Sequence, residues 1–210
     1  MNQNLEKRVG IVGLGYVGLT LATVLADLGY TVIGVEKRPE VVDLTNAGKP
    51  HFSETGLTES LTGVVRSKNL VAQTNFDPLE PCGIYVITVG TPLDSDGTAR
   101  LDLVKAATRQ VAENMHDGAL VILRSTVKIG TSRNVVDPIL KASGKRYDLA
   151  MSPERTLEGK ALQELRELPQ IVGADDQATR DRASALFRRL TKSIIQVSSL
   201  EAAEIIKLVD

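Results

Sequence analysis

Short apolar runs alternate with amphipathic segments along the whole chain, and this alternation predicts its secondary structure. Runs bounded by turn residues indicate strands, and longer segments with apolar residues every three or four positions indicate helices. The predicted strands are Val9–Val12, Thr31–Val35, Leu70–Ala72, Ile84–Val89, Leu120–Leu123, Asp148–Met151, Ile171–Val172 and Ile194–Val197. The predicted helices are Tyr16–Leu28, one that begins at Pro39, Leu101–Met115, Asp175–Leu190 and Leu200–Asp210. Strands that alternate with helices are typical of βαβ units, so an α/β protein with a parallel sheet is predicted.

Composition narrows the class of protein. Apolar residues make up 42% of the 210 residues but aromatic residues only 3%, so the core must be aliphatic. The net charge is -1, which provides no electrostatic footprint for nucleic acid or for an anionic membrane. No apolar stretch approaches the roughly 20 residues of a membrane span, and the N-terminus has no apolar signal-peptide region. The single cysteine, Cys82, excludes an internal disulfide and suits a reducing compartment, so the predicted location is cytoplasmic.

A glycine motif follows the first predicted strand and opens the first helix. In Gly13-Leu14-Gly15-Tyr16-Val17-Gly18, Gly13 permits a tight turn, Gly15 lets a pyrophosphate approach the backbone, and Gly18 allows close packing of helix on strand. The amides of Tyr16 and Val17 then point towards the phosphates. The alternative to a dinucleotide site is a glycine-rich turn with a purely structural role. The strand before and the helix after favour a dinucleotide site, and the fold predicted is a Rossmann-type doubly wound parallel sheet.

Glu36 ends the second predicted strand, eighteen positions after Gly18, and indicates the cofactor. A carboxylate there can accept both hydrogen bonds from the adenosine ribose diol and would repel a 2′-phosphate, so NAD is favoured. Lys37 and Arg38 keep NADP open, because nearby cations can accommodate that phosphate. Arg38 is expected either to lie against the adenine or to be a solvated charge.

Small hydroxyl residues and a carboxylate follow the next three strands. Thr91 and Pro92 come after Ile84–Val89, Ser125 and Thr126 after Leu120–Leu123, and Glu154 after Asp148–Met151. Ligands of open parallel sheets bind beyond the carboxyl ends of the strands, so these residues are predicted to line the cofactor site. Individually, the threonines could be turn or cap residues and Glu154 a surface charge.

Five segments of the chain resemble motifs of the UDP-glucose/GDP-mannose dehydrogenase superfamily. The matching segments occur in the family's order and cover the whole chain. They are GLGYVGL at the first glycine motif, VGTPLDSDG at 89–97, RSTVKIGT at 124–131, MSPERTLEG at 151–159 and SSLEAAEIIKLVD at 198–210. The stretch from Ser152 onwards looks closest to the UDP-N-acetylmannosamine dehydrogenase branch, since glucose-specific members tend to carry PEFLREG where this chain has PERTLEG.

The resemblance implies an enzyme that oxidises the C6 alcohol of a UDP-sugar to a carboxylate with two NAD. In that family a cysteine thiolate captures the intermediate aldehyde, a lysine stabilises the oxyanion, and carboxylates place or activate water. By motif position the lysine is Lys207, the carboxylates are Glu154 and Glu158, and the hydroxyl is that of Thr126. Lys207 and Glu158 could instead be ordinary surface residues.

The departures from the family pattern lead to further expectations. The family's nucleophilic cysteine lies well downstream of the last matching helix, and the asparagine one turn after Lys207 has no counterpart here. Residues 1–198 are expected to form the NAD-binding domain and residues 199–210 the start of a central connecting helix. That helix stops without a C-cap glycine and ends on Asp210, so we expect the chain to be part of a longer, homodimeric protein and to be inactive alone.

Cys82 is not expected to replace the missing nucleophile. It precedes the strand Ile84–Val89 and therefore lies at the amino end of the sheet, about 20 Å from the ligand edge at roughly 3.3 Å per strand residue. Two other functions stay open. One is a stand-alone nucleotide-binding or regulatory module. The other is a hydroxyacid-type dehydrogenase, disfavoured because His51 and His116 occupy loop and helix-end positions.

Overall fold

The computed structural model describes residues 5–95, 97 and 99–209, and their strands form a single sheet. Asp96 of the 89–97 motif and Asp210 of the last helix lie outside the described residues. The strands are β1 (Arg8–Val12), β2 (Thr31–Val35), β3 (Leu70–Gln73), β4 (Ile84–Ile87), β5 (Ala119–Leu123), β6 (Tyr147–Met151), β7 (Gln170–Gly173) and β8 (Ile194–Val197). The helices are α1 (Tyr16–Asp27), α2 (Pro39–Asn46), α3 (Leu57–Arg66), α4 (Asp102–Asn114), α5 (Asp137–Lys141), α6 (Ala161–Glu167), α7 (Gln177–Phe187) and α8 (Leu200–Val209).

The strand order confirms the doubly wound fold. The strands lie in the order β3-β2-β1-β4-β5-β6-β7-β8, and the pairs from β3 to β6 are all parallel. The chain leaves β1 in one direction to form β2 and β3, and returns to the other side of β1 to form β4. The carboxyl ends of β1 and β4 therefore flank a topological switch point, where ligands of such sheets bind.

The parallel pairing of the predicted sheet is interrupted at one place, between β6 and β7. β7 pairs with β6 in the antiparallel direction, through Met151 and Gly173, and β8 runs parallel to β7. The cause is the connection between β6 and β7, which stays at the carboxyl edge of the sheet. There the side chain of Gln170, the first residue of β7, accepts a hydrogen bond from Arg124, which directly follows β5. The chain consequently re-enters the sheet from its carboxyl edge.

Aliphatic side chains form one core on each face of the sheet, as the composition predicts. One core packs α1, α3 and α7 against the sheet, and the other packs α4, α5 and α8. β4 is buried on both faces, and its Tyr85 stacks edge-on against Phe76 at 5.2 Å between ring centroids. The sheet between these two layers is rigid enough to fix the positions of the loops at its carboxyl edge.

Three predicted helix starts are confirmed, and three helical segments were not predicted. α1 begins at Tyr16. α2 begins at Pro39, and the Ser199 hydroxyl caps α8 by accepting a hydrogen bond of 3.1 Å from the Ala202 amide. The unpredicted segments are α3, α6 and a π-helical turn over Ser132–Val136 that continues into α5. The start of each is marked by no side-chain cap. Among the described residues, no helix has the length and apolar character needed to cross a bilayer.

Candidate functional site

A cleft of about 740 Å³ lies at the switch point between β1 and β4. Its floor is formed by residues that end β1 and β2 or follow β1 and β4, and one wall is formed by α4. Of the residues predicted to bind the cofactor, Gly13, Gly15, Glu36 and Arg38 line this cleft. The cleft therefore lies where the glycine motif and the acidic residue predict a ligand site.

The three motif glycines have the geometry expected of a phosphate-binding turn. Gly13 has a φ of +93°, which side chains other than glycine rarely adopt. A Cβ on Gly18 would lie 1.8 Å from the Gly13 carbonyl oxygen, so any side chain there would separate α1 from β1. A Cβ on Gly15 would contact nothing within 4 Å, so the backbone there is open towards the cleft. This opening leads to the first turn of α1, where Tyr16 and Val17 present unpaired amides.

Thr88, at the end of the strand segment predicted for β4, supports the turn from beneath. Its hydroxyl lies 2.7 Å from the Gly13 carbonyl oxygen and 3.0 Å from that of Val12. The side chain is 8% exposed and also contributes to the lining of the cleft. Sequence reasoning placed Thr88 in a strand but did not identify this function, which depends on β4 lying beside β1.

Glu36 is held at the edge of the cleft in its ionised form. Its Oε2 accepts a hydrogen bond of 3.1 Å from the Leu14 amide, and its Oε1 accepts one of 3.0 Å from Nε of Arg38. Burial raises the pKa of this carboxyl group, but the hydrogen bonds from Arg38 and Leu14 outweigh burial, and the pKa is lowered overall. His51 faces the same pair, and burial followed by the charge of Arg38 lowers its pKa. A carboxylate in this state can accept two hydroxyl donors.

The helix wall of the cleft is a feature that sequence reasoning missed. Leu103, Ala106, Gln110 and Glu113 recur at helical spacing on α4 and line the cleft. A neighbouring stripe of the same helix, which includes Val104 and Val111, is buried in the core. The signal was a second stripe of mixed character beside the apolar one. The remaining lining residues that were missed are Thr74, Asn75, Val89, Gly90, Ala107 and Arg109.

Hydroxyl groups join the loops after β4 and β5. The Thr91 hydroxyl donates a hydrogen bond of 2.6 Å to the Thr126 carbonyl oxygen, and the Ser125 hydroxyl donates one of 2.6 Å to that of Val89. The Thr126 side chain itself and Pro92 are exposed. The structure thus brings these predicted residues together on one edge, with Thr91 and Ser125 fixing the loop geometry.

Glu154 is not a surface charge. It is 6% exposed, and its Oε2 accepts hydrogen bonds of 3.0 and 2.6 Å from the completely buried Arg124. Its Oε1 accepts from the amides of Arg155 at 2.7 Å and Thr156 at 2.9 Å. Burial raises the pKa of Glu154, but the charge of Arg124 and these donors lower it overall. Arg124 also lies 5.1 Å from the ring centroid of Phe187.

The other residues predicted to be catalytic lie outside the cleft lining. Glu158 is exposed on the segment that follows Glu154, and Lys207 is partly exposed on α8. α8 is docked by Glu204, whose carboxylate accepts hydrogen bonds from the amides of Gly130 at 2.6 Å and Ser132 at 2.7 Å. Lys207 is thus carried by a helix that is anchored to the loop after β5. Catalytic roles for Glu154, Glu158, Thr126 and Lys207 stay predictions.

Cys82 occupies the position predicted for it. It precedes β4 at the amino edge of the sheet, is completely buried, and donates its backbone N–H to the Tyr85 hydroxyl at 3.1 Å. Burial raises the pKa of its thiol to about 11. A thiol that is protonated and enclosed on the far edge from the cleft is not a nucleophile for a ligand bound there.

The match to a protein family agrees with this geometry. Residues 7–191 match the model of the UDP-glucose/GDP-mannose dehydrogenase family, NAD binding domain. A curated relative, the UDP-N-acetyl-D-mannosamine dehydrogenase of Methanococcus aeolicus, is 34% identical over 206 residues, which are 97% of this chain and 46% of that protein. The GDP-mannose 6-dehydrogenase of Pseudomonas savastanoi is 34% identical over 211 residues, covering 95% of this chain and 48% of that protein.

A solved structure with a similar sequence has the same fold as this chain. The UDP-N-acetylmannosamine dehydrogenase of Pyrococcus horikoshii superposes with a TM-score of 0.91 at 32% identity, covering 96% of this chain and 49% of that one. The chain spans about half the length of the curated relatives it matches. The part of those proteins that it matches is the half that carries the NAD-binding domain.

Proposed function

This chain belongs to the UDP-glucose/GDP-mannose dehydrogenase family and contains its NAD-binding domain, and we propose that it forms the cofactor-binding half of a nucleotide-sugar 6-dehydrogenase. The single observation that carries the proposal is the cleft at the switch point. There an open glycine turn and an ionised, buried carboxylate lie at the two places where a dinucleotide presents its pyrophosphate and its adenosine ribose.

The residues at the cleft fit NAD. The open face of Gly15 and the amides of Tyr16 and Val17 would hold the pyrophosphate, and Glu36 would accept hydrogen bonds from the ribose diol. The Arg38 side chain donates to both oxygens of Glu36, at 3.0 and 3.4 Å, and it can move aside because it is 44% exposed. NAD bound there supplies the hydride acceptor of the oxidation.

For the substrate we propose a UDP-sugar, with UDP-N-acetylmannosamine favoured. The proposal is supported by the names of the relatives from Methanococcus aeolicus and Pyrococcus horikoshii and by the PERTLEG segment at 153–159. GDP-mannose is the second candidate, because the relative from Pseudomonas savastanoi is equally identical at 34%. In either case Lys207 is proposed to stabilise an oxyanion, Glu154 and Glu158 to place water, and Thr126 to contribute a hydroxyl.

The proposal is tested first by cofactor binding. Calorimetric titration of the 210-residue chain should show tighter binding of NAD than of NADP, since Glu36 repels a 2′-phosphate. Gly15→Val fills the open face of the turn and should abolish binding while circular dichroism remains unchanged. Equal affinity for the two cofactors would contradict the role of Glu36, and undiminished binding by Gly15→Val would show that the phosphates are held elsewhere.

Turnover is tested by NADH formation at 340 nm with UDP-N-acetylmannosamine, UDP-N-acetylglucosamine, UDP-glucose and GDP-mannose. We expect none from the 210-residue polypeptide, because Cys82 is its single thiol and is buried far from the cleft. The whole polypeptide encoded by the gene should oxidise one of the UDP-sugars and should lose that activity in Lys207→Ala. Turnover by the 210 residues that persists in Cys82→Ser would contradict the proposed mechanism.

Two further properties belong to the proposal. A homodimer formed through α8 is supported by the apolar residues that this helix exposes, Ile205, Leu208 and Val209. A cytoplasmic location is supported by the single, buried thiol, which suits a reducing compartment. Sedimentation of the gene product and fractionation of the cells would test the two.

A further inference from the structure

A buried carboxylate, Glu54, ties together three segments near the glycine motif. Glu54 is 8% exposed and lies in the loop between α2 and α3. Its Oε2 accepts a hydrogen bond of 2.5 Å from the Tyr16 hydroxyl and one of 2.8 Å from the Gly159 amide. The Tyr16 hydroxyl oxygen also accepts from the Gly159 amide at 3.1 Å. We call Tyr16, Glu54 and Gly159 the Glu54 clamp.

The clamp fixes the segment that carries Glu158. The Leu157 carbonyl oxygen lies 2.9 Å from the Tyr16 hydroxyl, and Gly159 has a φ of +87°. Both neighbours of Glu158 are therefore held against the same tyrosine, while the Glu158 side chain remains exposed. The Leu157 amide also donates to the Glu164 carboxylate at 2.7 Å, and the Lys160 amide donates to the Leu157 carbonyl oxygen at 3.2 Å, so the clamp holds a hydrogen-bonded turn in place against α1.

The other end of the clamp is the phosphate-binding turn. Tyr16 is the first residue of α1 and directly follows Gly15, which lines the cleft. The first amides of a helix lack partners within it and bind phosphate groups. A phosphate held there fixes the backbone from which the Tyr16 ring extends. The ring also packs against Phe52, at 5.1 Å between centroids, so its direction follows that of the backbone.

The environment of the clamp indicates that its contacts are specific. Oε1 of Glu54 is buried and has no hydrogen-bond partner among the described residues. A buried polar atom without a partner destabilises the folded protein. Any stabilisation by the Glu54 carboxylate must therefore come from Oε2, which accepts the hydrogen bonds from Tyr16 and Gly159. Burial, together with the hydrogen bond to Glu54, raises the pKa of Tyr16, which keeps its hydroxyl a donor.

We propose that Glu54 is a positioning residue that acts through Tyr16 to couple occupancy of the phosphate-binding turn to the order of residues 157–159. The inference rests on the proposed function, in which Glu158 belongs to the substrate side of the site. Coupling of this kind is reciprocal, so a cofactor that holds Tyr16 in place stabilises the clamp, and the closed clamp tightens cofactor binding.

The test uses two trypsin sites, Arg155 and Lys160, which flank the clamped segment. The 210-residue chain is digested with and without saturating NAD, and cleavage after each site is followed by mass spectrometry. Proteolysis at a native segment tracks its local opening, so NAD should slow cleavage after Lys160 by about tenfold in the wild type. Saturation is ensured for each variant by calorimetric titration.

The variants separate coupling from general stability. Tyr16→Phe removes one hydroxyl and should reduce the slowing by NAD to less than about twofold. Glu54→Gln retains a neutral acceptor oxygen and should keep part of the slowing. Tyr147→Phe is the matched control, because the Tyr147 hydroxyl also bonds a carboxylate, Oδ1 of Asp137 at 2.6 Å, but lies at the amino edge of the sheet. It should keep the full slowing.

The outcomes distinguish the proposed coupling from the proposed function. Equal slowing by NAD in Tyr16→Phe and in the wild type would overturn the coupling. NAD that binds the wild type without slowing cleavage would overturn the coupling and leave the proposed function intact. Failure of the wild type to bind NAD would overturn both. If Glu54→Gln does not fold, Tyr16→Phe decides alone, with its unfolding midpoint compared with that of Tyr147→Phe.

Discussion

The carboxyl edge of the sheet contains two similar ion pairs in very different surroundings. Glu36 follows β2 and pairs with Arg38, and Glu154 lies beyond β6 and pairs with Arg124. Both carboxylates are buried and both have a lowered pKa. The arginines differ, because the Arg38 side chain is 44% exposed at the edge of the cleft, whereas that of Arg124 is 0% exposed.

The difference separates a group that can bind a ligand from a group that shapes the protein. Water and a ribose diol can replace Arg38 as the partner of Glu36, because the arginine keeps its hydration when it moves away. The Arg124 side chain is enclosed and cannot move into water, and separating it from Glu154 would leave two buried charges without partners. Glu154 also accepts two backbone amides. A catalytic role for Glu154 would therefore require this network to release it.

The largest effect should come from removing the buried arginine. Arg124→Met leaves Glu154 buried without a counter-charge and should lower the free energy of unfolding by about 3–5 kcal/mol. Arg38→Met is the matched control and should lower it by less than about 1 kcal/mol, since the exposed pair is screened by water. Urea denaturation followed by circular dichroism measures both. Similar losses in the two variants would remove the distinction between the pairs.

A smaller effect is expected on cofactor binding. Glu36→Ala removes charge-assisted hydrogen bonds to the ribose and should weaken NAD binding by about 1–3 kcal/mol. Arg38→Met should leave NAD affinity unchanged or improve it, because the arginine competes with the diol for Glu36. Calorimetry decides between these outcomes. Weaker binding in Arg38→Met than in Glu36→Ala would mean that Arg38, and not Glu36, is the main contact with the nucleoside.

The smallest effect is a dependence of stability on pH. The folded pKa of Glu154 lies below its unfolded value of about 4.3, so its contribution is present above that pH and is lost as the pH falls through the folded pKa. Between pH 5 and pH 3 the wild type should therefore lose more stability than Glu154→Gln, by at most about 1.4 kcal/mol per pH unit. Denaturation in urea at each pH provides the comparison. Parallel profiles would show that folding does not lower the pKa of Glu154.

Much of the cofactor side could be predicted from the sequence. Gly13, Gly15 and Gly18 are separated by only a few residues, and their roles follow from local backbone geometry. Glu36 could be identified because it directly follows a strand that must lie beside β1. These positions could be predicted because each relies on contacts close in the sequence or on the pairing of consecutive parallel strands.

The second half of the site could not be predicted in the same way. The pairing of Arg124 with Glu154 and Gln170 spans up to 46 positions, and the Glu54 clamp joins residues up to 143 positions apart. No local pattern encodes such contacts. The direction of β7 was missed for the same reason, because it depends on where the chain between β6 and β7 is held and not on the residues of β7 itself.

The sequence by itself determined the α/β class, the position of the glycine turn, the position of Glu36 at the edge of the cleft and the structural position of Cys82. All of these follow from periodicity, from the conformational freedom of glycine or from the polarity of a parallel strand. The tertiary structure decided which carboxylate is free to bind a ligand. Glu36 and Glu154 are alike in type and in place along a strand, but the free energy of a charge depends on its distance from water, and only the folded chain sets that distance.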